Sequence, residues 1–95
     1  MKVQTFQLGT IVTSCQGRDK GCNYVVVGND KNKILVVDGK YKLLAKPKAK
    51  NKLHLISTNV VDNELATKLS NNQHVNDQMI YHVLHEYQKT IKKGE

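Results

Sequence analysis

Two periodicities of apolar residues divide the chain near residue 60. Before that point, short runs rich in Val, Ile, Thr and Tyr occupy residues 8–14, 23–28, 33–37, 41–45 and 53–58. These residue types fit an extended, pleated backbone, so the pattern predicts five short strands. The separators are residues 17–21, 29–32, the pair Asp38 and Gly39, and residues 46–52. Asp38-Gly39 between two β-rich runs predicts a two-residue hairpin turn, since both central positions of a type I′ turn need positive φ. Residues 24–27 and 34–37 are apolar without a break, where a strand with one wet face would alternate. Both faces of the second and third strands therefore need cover.

After Asn59 the period lengthens. Asp62 or Asn63 can cap a short helix through about Leu69, with Leu65, Ala66 and Leu69 on one side, and Ser70, Asn71 and Asn72 end it. A second helix is predicted from about Asn76 to about Lys93. Its apolar residues Ile80, Val83, Leu84, Tyr87 and Ile91 fall on one stripe at about 100° per residue. His82, His85, Glu86, Lys89, Lys92 and Lys93 occupy the other side. The outer face of the second and third strands is the expected seat for the stripe, and docking on a separate protein is the competing reading. The architecture expected is thus mainly β: a small, partly open five-stranded barrel of the SH3-like kind over residues 1–59, then a helical extension over residues 60–95.

Charge follows the same division. The 95 residues carry a formal net charge of +7. Residues 1–61 hold ten Lys and Arg18 against Asp19, Asp30 and Asp38, a net +8, whereas residues 62–95 hold four Lys against five acids, a net −1. A polyanion-binding face produces such a division, and a merely lysine-rich solvated surface is the plainer alternative. With 39% apolar residues, one Phe and no Trp, the core is expected to be modest. No segment approaches the roughly 18 apolar residues that cross a bilayer, and the first residues lack the apolar centre of a signal peptide. The expectation is a cytosolic protein with no membrane partner, in which Cys15 and Cys22 are reduced thiols.

The tip between the first two strands concentrates this charge. Gly17 and Gly21 flank Arg18, Asp19 and Lys20, and glycine hinges let such a tip approach a phosphate backbone closely. The stretch Gly9-x-Ile11-Val12-x-Ser14-x-x-Gly17-Arg18-Asp19-Lys20-Gly21, followed by Tyr24-Val25-Val26-Val27, resembles a KOW motif. It is similar in particular to archaeal and eukaryotic large-subunit ribosomal proteins fourteen, six and twenty-seven. Val36-Val37-Asp38-Gly39 and then Lys46-Pro47-Lys48-Ala49-Lys50-Asn51-Lys52-x-His54-Leu55 resemble the second half of the same small barrel. The likeness covers roughly residues 5 to 58. It implies that the Arg18 tip and the loop of residues 46–52 both lie against ribosomal RNA.

Each candidate has its own chemistry. Arg18, the one arginine, offers a forked guanidinium able to clamp a phosphate or stack on a base. Lys20, Lys46, Lys48, Lys50 and Lys52 supply point charges that hold a backbone without reading sequence. Pro47 biases its neighbour toward extended backbone, so lysines 46, 48, 50 and 52 can project to one side. The plainer reading of this run is a solvated charge tract. Asp19 is expected to bond loop amides or to orient Arg18. His54 is read either as a contact to phosphate or base, or as a structural residue. Tyr24 and Tyr41 are candidates for stacking on bases, with burial in the strands as the alternative.

Sharper chemistry is not expected. His82 and His85 sit on the polar helix face with His74 upstream, and no thiol and carboxylate set completes a metal site. No histidine or acid is spaced to activate Cys15, and paired carboxylates, a P-loop and a dinucleotide fingerprint are absent. The chain reads as a binding protein, not an enzyme, with neither cofactor nor metal. Its expected partner is structured RNA, ribosomal RNA foremost, with ribosomal or translation-factor proteins as further partners. The near-neutral helical tail, in place of a basic extension, favours a ribosome-associated factor over a permanent subunit. The alternative is a protein-interaction adaptor whose barrel or helix docks on a transcription or translation factor.

Overall fold

The structure, a computed structural model, describes residues 6–93, with side chains through residue 90; Ile91, Lys92 and Lys93 of the expected helix faces lie outside the described side chains. Its strands are β1 (Thr10–Ser14), β2 (Asn23–Asp30), β3 (Lys33–Val37), β4 (Lys48–Asn51) and β5 (Leu55–Val61). A single 3-10 turn, Lys52–His54, joins the last two, and helices α1 (Asn63–Ser70) and α2 (Asp77–Lys93) follow. All pairings are antiparallel in the order β4-β3-β2-β1-β5. β4 and β5 stand at opposite edges, so the sheet is open and not closed into a barrel.

The fourth strand lies elsewhere than the pattern predicts. Residues 41–45 form turns, and β4 comes from the lysine-rich residues read as a loop. Asp38 is the cause: its carboxylate oxygen accepts the amides of Lys40, Tyr41 and Lys42 at 2.9, 2.8 and 2.7 Å. Amides gathered on one side chain cannot enter a ladder. Farther along, the Leu44 amide donates to Asp77 at 2.7 Å. Nor do Asp38 and Gly39 make the expected type I′ turn, because only Gly39 takes positive φ, at 78°. Chain reversal needs the whole of residues 38–47. β4 then forms by pairing Lys48 with Val36 and Lys50 with Ile34, and its lysines suit an edge strand.

The unbroken apolar runs have cover on both faces of the sheet. On one face Ile11 pairs with Val25 and Val25 with Val37, and this row meets Leu65 of α1 and Ile80 and Leu84 of α2 in a single buried cluster. On the other, Val12, Tyr24, Val26, Ile34, Val36 and Leu55 form a second cluster, with Phe6 and Leu8 packed against it. Alternating strand residues thus feed two cores.

Helix ends follow from their caps. Asp62 accepts the Leu65 amide at 2.9 Å at the start of α1, and Asn76 accepts the Met79 amide at 2.9 Å at the start of α2. Gly39 sets how closely α2 approaches. A Cβ there would run into the Asp77 carbonyl oxygen and lie 2.7 Å from the Tyr81 nitrogen. No described helix is long and apolar enough to cross a membrane.

Candidate functional site

The loop between β1 and β2 is closed at its neck by backbone bonds from Ser14 to Cys22 (2.9 Å) and from Gly21 to Ser14 (2.8 Å). Gly17 and Gly21 take φ of 91° and 93°, angles that the short reversal requires and that other residues resist. The tip folds back so that the Asp19 side chain points inward while Arg18 and Lys20 remain exposed.

Asp19 has a different role from the one its sequence position suggests. It bonds neither loop amides nor Arg18 through its side chain; instead it receives Ser14 Oγ at 2.9 Å, the Tyr24 hydroxyl at 2.6 Å and Lys50 Nζ at 2.8 and 2.7 Å. Partial burial acts to raise its pKa, but the hydrogen bonds from Lys50, Tyr24 and Ser14 and the nearby ammonium outweigh it. The carboxyl is held well below the usual carboxylate range. Burial and the bond to this carboxylate push the Tyr24 hydroxyl in the opposite direction, above its ordinary value. Tyr24 is therefore a core residue with its polar end on Asp19, and its ring is closed to a base.

Lys50 is removed from the set of free cations by the same network. Its side chain is only 9% exposed, and its ammonium is committed to Asp19. Lys48, two residues earlier on the same face of β4, stays exposed. The predicted spacing by two therefore places Lys48 and Lys50 together, while Lys46 precedes the strand and Lys52 begins the 3-10 turn.

Around this network lies an open groove of about 710 Å³. Arg18, Lys48, Lys50 and His54 line it, as do Tyr24, Gly17 and Asp19. Tyr41 and Lys42 join them from the 38–47 loop. Lys46 lines an adjoining depression of about 400 Å³ that shares Tyr41, Lys42 and Lys48. Lys20 and Lys52 line neither. Both acids facing the groove are spent internally, Asp19 on Lys50 and Asp38 on three backbone amides. Among the described residues Arg18, Lys42 and Lys48 make no ion pair, and they form a cationic rim around Tyr41, which is 75% exposed.

Lys42 is the groove residue that the sequence reading misses, because a strand over residues 41–45 would have placed it on a ladder. An Asp followed by several polar residues is also an Asx-turn signal, and that reading of Asp38 places Lys42 in a loop. Cys15 and Cys22 are free thiols, and Cys22 lines the groove wall. Among the described residues no three His, Cys, Asp or Glu side chains gather as a metal site would require. Neither a protein-family model nor a curated protein matches the chain.

Proposed function

We propose that the chain is a cytosolic RNA-binding protein that docks on structured RNA, ribosomal RNA foremost, through the Arg18–Lys48 groove. One observation carries this reading: the groove gathers Arg18, Lys42, Lys48 and His54 around an exposed tyrosine, while Asp19 is paired with Lys50 and Asp38 is held by three backbone amides. Cations beside a solvent-exposed aromatic ring match a sugar-phosphate backbone with accessible bases. The strand order, the 3-10 turn between β4 and β5, and a cluster running from Val12 in β1 to Leu55 in β5 support an SH3-like half-barrel of the KOW kind.

Binding measured with a labelled RNA hairpin tests the reading. Arg18→Ala and Lys48→Ala should each weaken affinity roughly 10- to 150-fold, the value of one charge-assisted contact. Lys68→Ala, paired with Glu64 on α1, should change it little. Equal effects at all three positions would refute the groove.

A second reading, an interaction adaptor, draws on a different surface. Ile56 and Val60 are exposed along β5, an edge strand, and Leu53 beside it is 76% exposed. A protein retained from lysate after nuclease treatment, and lost on Ile56→Lys, would favour that reading.

A further inference from the structure

Beyond the basic groove lies a second depression of about 410 Å³, bounded by the 38–47 loop and α2. It shares Cys22, Asp38 and Tyr41 with the groove, so the two form one continuous surface. Its far wall is Tyr81, 47% exposed, whose ring lies parallel to that of His85, 12° apart in plane with centroids 6.2 Å apart. Tyr41 forms the near wall, with the Lys40 ammonium 5.1 Å from its ring centre. The 38–47 loop is held close to α2 at this point, because Gly39 abuts the backbone of Tyr81 too closely to admit a Cβ.

From this arrangement we infer that the second depression is a nucleobase platform: unpaired bases stack on Tyr41 and on the Tyr81–His85 face while their phosphates lie along Arg18, Lys42 and Lys48. The inference rests on the proposed RNA reading and adds the part of the RNA that is held. A paired A-form helix keeps its base faces inside the stack, whereas loops and bulges can splay bases onto aromatic side chains. Lys40 and the free cations of the groove supply the complementary charge at both ends of the path. Helix α2 thereby acquires a binding role besides its structural one.

Two RNA probes test this: a hairpin with an open loop, and a blunt duplex with the same number of phosphates. The full-length protein should bind the hairpin at least about fivefold more tightly, and Tyr81→Ala should remove roughly 5- to 100-fold of hairpin affinity, the range for one stacked base. Tyr81→Phe should keep it. Because alanine retains the Cβ that meets Gly39, the variant should melt close to the parent protein, and duplex binding should not change. Unaltered hairpin affinity in Tyr81→Ala, with Arg18→Ala still weakened, would overturn the platform and leave the phosphate groove standing. Absence of binding to both probes at low salt would overturn the RNA reading itself.

Discussion

Replacing Lys50 by methionine separates structural from ligand-binding charge on β4. The substitution keeps most of the aliphatic stem and deletes the ammonium that Asp19 receives at 2.7 Å. Breaking a fully buried pair costs about 3–5 kcal/mol. Asp19 retains Ser14 and Tyr24 as donors and its side chain is 24% exposed, so water offsets part of that loss. A cost of about 2 kcal/mol follows, or roughly 8–16 °C in Tm for a domain of this size. Circular dichroism melts at neutral pH measure it, with Lys48→Met as the matched control on the same face. That exposed lysine should leave Tm within about 4 °C while weakening RNA binding. The acid limb gives an independent check. A folded carboxyl held below its ordinary 3.8 stabilises the protein fully above that pH, and the contribution fades as pH falls below it, because the unfolded chain takes up the proton first. Asp19→Asn should therefore flatten the decline of Tm below about pH 4. A Lys50→Met protein that melts like the parent, or a Lys48→Met protein that melts as early as Lys50→Met, would refute the division of labour.

Two further substitutions test the seat of α2. Gly39→Ala forces a Cβ into the Asp77 and Tyr81 backbone at a φ of 78°, and overpacking together with left-handed strain should cost roughly 2–4 kcal/mol; an unchanged melt would mean that the loop and helix are not in contact. Ile80→Ala empties a fully buried position between α2 and β2, with an expected loss of about 2–5 kcal/mol read by urea denaturation, whereas a neutral result would place the helix stripe off the sheet.

How far the sequence foretold this molecule depends on how local each signal is. β3 matches its predicted span because Ile34 to Val37 is an apolar run, β-branched at all but Leu35, bounded by a lysine and an aspartate. Both helices begin where expected: Asp62, one of the two cap candidates, caps the first, and Asn76, the approximate start read for the second, proves to be its cap. β4 was not legible: Lys48–Asn51 has little strand propensity of its own and is extended only because β3 offers it a partner. Tyr41 to Ala45 does have the propensity, but the Asp38 carboxylate takes its first amides and Asp77 takes that of Leu44. The site divides in the same way. Arg18, Lys48 and His54 line one groove, although Lys48 stands on β4 and not in a loop, while the removal of Lys50 depends on Asp19, 31 residues away, and no local pattern reports that pairing.

The salt dependence of RNA affinity bears most directly on the central claim. Arg18, Lys42 and Lys48, with Lys46 adjoining, present about three to five phosphate contacts. Log affinity for a structured RNA should therefore fall against log salt with a slope of about −2 to −4. Arg18→Ala should make that slope shallower by about one, since one fewer counterion is released. A slope near zero, or a slope unaltered in Arg18→Ala, would contradict a phosphate-binding groove.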